Sequence, residues 1–159
     1  MKPALLATAL ALTLPAFAHD GPARPSGQID YTKAAPTAFG VPADPRGAQR
    51  TIGIDMSDGM RFAPADIQLR QGEVVRFIAA NKGQVLHEMV LGTMDGLKAH
   101  AELMKKFPGM ERDEPHMAHV APGKPGEIGW RFTQPGTFHF GCLIPGHFEA
   151  GMLGWITVR

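Results

Sequence analysis

From Cys142 to Met152 the chain reads CLIPGHFEAGM, and this stretch decides how the rest of the sequence is interpreted. It places Cys142, His147 and Met152 in one loop at C-x4-H-x4-M spacing. Phe138, Phe140 and Cys142 alternate along the preceding segment, so on a strand their side chains share one face. We therefore expect the thiol to point inward, and the glycines and proline of the loop to let its three side chains converge.

The ligand types in this loop indicate copper. A thiolate, two imidazoles and a weakly bound thioether form the electron-transfer site known as type 1 copper. The second imidazole has to come from another part of the fold, and His87, on a predicted strand, is the best candidate. The sequence therefore predicts one type 1 copper ion held by His87, Cys142, His147 and Met152.

Other uses of a lone cysteine fit this sequence less well. A dinuclear purple copper centre needs two cysteines, and the chain has one. Multicopper oxidases flank their cysteine with histidines, whereas the neighbours here are Gly141 and Leu143. A Cys-His hydrolase needs an accessible thiolate beside a base. We expect a binding protein and not an enzyme, with weak oxidation of Cu(I) as an alternative activity; an inert buried thiol at Cys142 and core packing of Met152 are the structural alternatives.

The sequence outside the loop predicts an all-β fold with one helical insert. Its 19 glycines and 14 prolines favour many turns between short strands. The period changes at residues 95–107, where Leu97, Ala101 and Met104 fall on one helical face and Asp95 is placed to cap the helix. Residues 109–126 are predicted to be a loop. Together these features predict a Greek-key β-sandwich, with strands at 52–56, 67–69, 73–80, 86–91, 128–132, 137–142 and 153–158.

The amino-terminal residues predict export. After Met-Lys, residues 4–14 form an apolar run, and Ala16-Phe-Ala18 is a cleavage site of the A-x-A type. Eleven residues are too few to span a bilayer, and no other stretch is long and apolar enough. We expect a signal peptide at residues 1–18 cleaved after Ala18, a flexible Pro/Gly/Ala-rich leader at 19–50 and one domain at 51–159, located in the periplasm.

Charge and cysteine content limit the classes of partner. Lys and Arg number 16 against 15 Asp and Glu, so the chain lacks the basic surplus of a nucleic-acid-binding protein. In an oxidising compartment cysteines usually pair. A single cysteine has no internal partner, and metal ligation is one way to protect it.

These segments resemble a known family. The loop, the upstream histidine, the strand TFHFGC and the Gly-Met ending are similar to plastocyanin and azurin, the cupredoxins, over residues 51–159. More narrowly, residues 105–130 (KKFPGMERDEPHMAHVAPGKPGEIGW) and 138–152 (FHFGCLIPGHFEAGM) resemble periplasmic copper-tolerance cupredoxins of proteobacteria. The resemblance implies copper at the four ligands already predicted. It also shows a departure, because Glu88 stands where many cupredoxins have an asparagine that hydrogen-bonds near the cysteine loop.

Further soft ligands cluster between Met94 and His119. Thioethers and imidazoles bind Cu(I) well. Met104 shares the apolar helix face, which favours core packing for this residue. For the loop group we keep two interpretations open, solvated side chains or a secondary copper site made by Met110, His116, Met117 and His119.

Two functions follow from these features. In the first, the protein contributes to copper tolerance by binding copper ions and cycling their redox state, as the narrower resemblance implies. In the second, it is a soluble electron carrier between periplasmic redox partner proteins. The Met/His cluster favours the first, and an apolar docking patch around His147 with Phe148 and Leu153 exposed would favour the second.

Overall fold

A computed structural model of the protein describes Tyr31, residues 33–107 and residues 114–159. The predicted signal peptide, residues 19–30 and 32 of the predicted leader, and Met110 lie outside the described residues. The described part forms one α-helix, α1 (Met94–Lys106), and ten strands: β1 (Val41–Pro42), β2 (Arg50–Ser57), β3 (Arg61–Ala63), β4 (Asp66–Leu69), β5 (Val74–Asn81), β6 (His87–Gly92), β7 (Met117–Val120), β8 (Pro125–Arg131), β9 (Gly136–Gly141) and β10 (Leu153–Val158).

The strands form two five-stranded sheets that pack face to face. The first sheet has the order β1-β8-β5-β2-β3, and the second has the order β4-β10-β9-β6-β7. The pairs β2–β5 and β4–β10 are parallel, and the remaining pairs are antiparallel. This arrangement confirms the predicted all-β Greek-key sandwich with a helical insert.

The core lies between the sheets because apolar residues recur at every second position. Along β2, Ile52, Ile54 and Met56 are buried while their neighbours are exposed. From the second sheet, Phe140 and Met89 join the same cluster. Burial of these side chains favours folding, by roughly 25 cal/mol per Å² of apolar surface removed from water.

The helix covers the outer face of the second sheet. Thr93 caps its first turn, because the Thr93 hydroxyl accepts a hydrogen bond from the Gly96 N–H at 3.1 Å. The predicted buried face is confirmed, since Leu97, Ala101 and Met104 are buried. The predicted cap was wrong: Asp95 lies in the first turn, where a negative charge favours the helix dipole.

Two boundaries differ from the sequence prediction. β7 lies inside the predicted loop at residues 109–126, because Ala118 and Val120 alternate with partly exposed residues and pair with β6. The packed structure also begins earlier than the predicted domain boundary at Thr51. Phe39 is buried in the core and β1 pairs with β8, so this part of the predicted leader belongs to the sandwich.

Candidate metal centre

The loop between β9 and β10 is closed by its own backbone. The Cys142 N–H donates to the Met152 carbonyl at 3.1 Å, and the Met152 N–H donates to the His147 carbonyl at 3.1 Å. Gly146 and Gly151 have φ values of 92° and 89°, which side chains rarely adopt, so the loop folds back where the sequence predicted. Backbone hydrogen bonds therefore hold Cys142, His147 and Met152 together without a metal ion.

The loop and β6 together bring three ligand side chains to one point. His87, Cys142 and His147 each offer a ligand atom, and these atoms all lie within 4.8 Å of one another. The Cys142 Sγ is 3.3 Å from the His147 Nδ1. His87 and Cys142 are fully buried and His147 is partly exposed. Met152, the fourth predicted ligand, is also fully buried and packs in the same core cluster.

The donor set fits a copper ion. The His87 Nδ1 is buried and has no hydrogen-bond partner, which is costly unless something binds it. Two imidazoles and a thiol that converge, in a loop whose backbone joins Cys142 to Met152, match the ligands of type 1 copper and differ from the oxygen ligands of Mg²⁺ or Ca²⁺. When bound, copper supplies a one-electron redox couple.

Burial sets the protonation states of the ligands. It raises the pKa of the Cys142 thiol to about 12. The thiol of the metal-free protein is therefore protonated at neutral pH, and a metal must displace that proton. Burial, followed by the neighbouring His87, lowers the pKa of His147. This favours the neutral imidazole, which is the form that binds metal.

Glu88 bridges the strand of His87 to the loop that carries Cys142. Its backbone N–H donates to the Cys142 Sγ at 3.4 Å, and its Oε1 accepts from the Leu143 N–H at 2.8 Å. Its Oε2 lies 3.1 Å from the His119 Nδ1. The buried carboxylate of Glu88 therefore links three elements: β6, which carries His87, the loop that carries Cys142 and His147, and β7.

Three polar residues that the sequence analysis missed also support the site. Asp58, in the turn between β2 and β3, lies 3.1 Å from the His87 Nε2. Arg61 donates to the Ala150 carbonyl at 2.8 Å, and Lys105 of α1 pairs with Glu149 at 2.7 Å. These contacts join residues far apart in the chain, and no spacing rule in the sequence signals them.

The structure describes three of the four residues predicted to form a secondary copper site: His116, Met117 and His119. His116 packs against the rings of Phe39 and Trp130, with centroids 5.8 and 6.1 Å away. Met117 packs against the outer cluster under α1, and His119 lies beside Glu88. The three described members contact three different sets of neighbours, and Met110 lies outside the described residues, so the secondary copper site stays a prediction. Among the residues that the structure places, His87, Cys142 and His147 are the one group of three His, Cys, Asp or Glu side chains with metal-ligand spacing.

A β-sandwich with two histidines and a cysteine converging at one end, beside a buried methionine, defines a cupredoxin. Residues 48–159 match the family described as copper binding proteins of the plastocyanin/azurin family, and the chain belongs to that family. It is a copper-binding protein.

Named relatives share most of the chain. A copper-resistant cuproprotein CopI of Rubrivivax gelatinosus is 49% identical over 160 residues, covering 100% of this chain and 97% of the relative. A protein of the same name from Pseudomonas aeruginosa is 34% identical over 154 residues, covering 77% of this chain and 83% of the relative.

Solved structures share the fold. Auracyanin B is similar with a TM-score of 0.63 and 26% identity, covering 79% of this chain and 98% of that structure. Auracyanin A, a "blue" copper protein from Chloroflexus aurantiacus, has a TM-score of 0.57 at 21% identity, covering 69% of this chain and 98% of that structure.

Proposed function

We propose that the protein holds one type 1 copper ion through His87, Cys142, His147 and Met152 and contributes to copper tolerance by binding copper and cycling it between Cu(II) and Cu(I). The observation that carries this proposal is the convergence of three buried or half-buried ligands within 4.8 Å. The tolerance role is supported by the full-length similarity to a relative named a copper-resistant cuproprotein.

The ligand side chains suit electron transfer because the fold holds them in place. Cys142 is hydrogen-bonded through its backbone to Met152 and through its sulfur to the Glu88 N–H. His87 is fixed between the core and Asp58. Since the ligands are held by the protein, a change of redox state requires little movement of the protein. This keeps the barrier to electron transfer low.

Burial of the centre supports a binding role over an enzymatic one, as we propose. His87 and Cys142 have no exposed surface, so a substrate molecule has no direct access to them. His147 is the partly exposed ligand, and electrons can pass through its edge. Oxidation of Cu(I) at the surface is the activity to test as an alternative.

We also propose a periplasmic location. The support is the sequence pattern of an apolar run followed by Ala16-Phe-Ala18. Of the helices in the described part of the chain, none has the length and apolar character needed to cross a membrane.

An electron carrier is the second candidate. An electron carrier was expected to expose Phe148 and Leu153 in an apolar docking patch. Both side chains are half-buried and pack against the cluster under α1, which does not favour such a patch at these residues. Instead, Val85 and Leu86, directly before His87, are 43% and 39% exposed. Exposed apolar residues beside a ligand are a reasonable contact surface for a redox partner.

A deletion strain separates the two functions. We expect loss of the gene to reduce growth in high copper and to leave respiration unchanged in low copper. Complementation with the wild-type gene should restore growth, and complementation with Cys142→Ser should not. Normal copper tolerance together with loss of a respiratory or photosynthetic activity would instead establish the carrier.

A further inference from the structure

Asp58 joins the two sheets at the end of the sandwich where the metal centre lies. It follows β2 of the first sheet, whereas His87 begins β6 of the second. Its Oδ1 is 3.1 Å from the His87 Nε2, and its Oδ2 accepts from the Gln84 N–H at 2.7 Å. The His87 side chain is fully buried and the Asp58 side chain is 40% exposed. A carboxylate in contact with solvent thus touches a ring with no exposed surface.

This contact determines which nitrogen of His87 is left for a metal. A carboxylate accepts hydrogen bonds, so the Nε2 beside it carries the proton. The Nδ1 then holds the free lone pair, and it is the buried atom without a partner. Pairs of this kind fix the orientation of a histidine ligand and raise its basicity.

Gly83 leaves the space that lets the carboxylate approach. A Cβ at Gly83 would lie 1.9 Å from the Asp58 Oδ1 and 2.6 Å from its Cγ, closer than real Cβ atoms come. The φ of Gly83 is not positive, so its backbone conformation alone does not require glycine. The absence of a side chain is therefore what the contact between Asp58 and His87 needs.

We infer that Asp58 is a positioning residue of the metal centre, which holds His87 with its proton on Nε2 and its Nδ1 free for copper, and whose negative charge favours Cu(II) over Cu(I). The inference rests on the proposed type 1 centre. Negative charge beside a ligand stabilises the more positive metal state, so the wild-type reduction potential is lower than it would be without Asp58.

Two variants test the inference in different ways. Asp58→Asn removes the charge but keeps an oxygen that accepts from the backbone N–H groups. Gly83→Ala keeps the charge but displaces it from His87. Asp55→Asn is the matched control, because Asp55 is exposed on β2, the strand that precedes Asp58, and its Oδ1 lies 3.8 Å from the Lys82 Nζ. Partner residues of histidine ligands typically change metal affinity 10- to 100-fold. Because Asp58 is partly exposed and its charge is screened by solvent, we expect a change at the low end of this range, about tenfold.

The first measurement is the reduction potential of the copper protein. A tenfold loss of preference for Cu(II) corresponds to a rise of about 59 mV for a one-electron couple. We expect this rise in Asp58→Asn and a rise in Gly83→Ala, with a smaller change in Asp55→Asn. A shift in Asp58→Asn no larger than that in the control would overturn the electrostatic role.

The second measurement uses the copper-free protein. Nitrogen chemical shifts of the His87 ring should show the proton on Nε2 in the wild type. They should show a mixture of tautomers in Gly83→Ala and in a third variant, Asp58→Ala, which removes the acceptor oxygens. An unchanged tautomer in both variants would overturn the positioning role. If the proposed type 1 centre were wrong, the copper-loaded wild-type protein would lack thiolate-to-copper absorption. The tautomer of His87 is measured without copper, so it would still show whether Asp58 positions this ring.

Discussion

The ligand loop, residues 142–152, and the insert, residues 94–120, are both rich in the side chains that bind copper, yet they use them differently. In the ligand loop the backbone hydrogen bonds of Cys142 and Met152 bring the ligands to one point. In the insert, His116 packs on core rings, Met117 packs under α1 and His119 lies beside Glu88. The backbone of the ligand loop thus brings its soft ligands together, whereas the described soft ligands of the insert pack against separate neighbours.

The largest effect is expected from removing the thiol of the ligand loop. Copper(II)-loaded wild-type protein should show intense visible thiolate-to-copper absorption, and Cys142→Ser should abolish it, because no other residue in the chain supplies a thiolate. His100→Ala in the insert is the control and should retain the full spectrum. A colourless copper adduct of the wild type would contradict the proposed type 1 site. Loss of colour in His100→Ala would show that the insert, too, is needed for this site.

Glu88 links the two regions, and its replacement should have the next largest effect. In Glu88→Ala the buried Leu143 N–H loses its acceptor, which costs about 1–3 kcal/mol. Glu88→Gln keeps an oxygen for this N–H and should be destabilised less. Urea unfolding of the copper-free proteins measures both. Equal stability of Glu88→Ala and wild type would show that the ligand loop does not depend on this bridge.

Replacing the thioether should alter the centre and leave the fold intact. Met152→Leu conserves side-chain volume in the buried core, so copper and visible absorption should be retained. The reduction potential should rise, because loss of the thioether donor disfavours Cu(II); a tenfold change in preference is about 59 mV. Potentiometric titration followed by absorption measures the shift. Loss of all type 1 copper would show instead that Met152 is required to hold the metal.

The smallest effect is expected where the insert touches the ligand loop at the surface. Lys105 pairs with Glu102 of its own helix and with Glu149 of the loop. Exposed ion pairs contribute little to stability, so Lys105→Ala should lower the unfolding free energy less than Glu88→Ala does and leave the spectrum unchanged. A change in the spectrum comparable to that of Met152→Leu would show that the insert positions the ligands.

The predictable parts of this structure are those encoded by local periodicity. Alternation identified the strand that leads into Cys142, and the 3.6-residue period identified the buried face of α1. β7 was missed because its four residues lie in a segment rich in proline and charge, and they form a strand only by pairing with β6. The sequence does not indicate the role of Asp58, since its contact with His87 spans 29 positions and exists only after the sheets pack.

Because the two ends of the ligand loop are paired in the sheet, the loop can change in evolution without a change in the β-sandwich. Leu153 pairs with Gly141 in the sheet, so β9 and β10 stay in register whatever lies between Cys142 and Met152. The entropy of closing a loop changes only slowly with its length. An insertion or deletion after His147 would therefore shift the thioether relative to the imidazole at little cost to the sandwich. If the proposed type 1 centre is correct, descendants of such a protein can change its colour and reduction potential within this short segment while keeping the same fold.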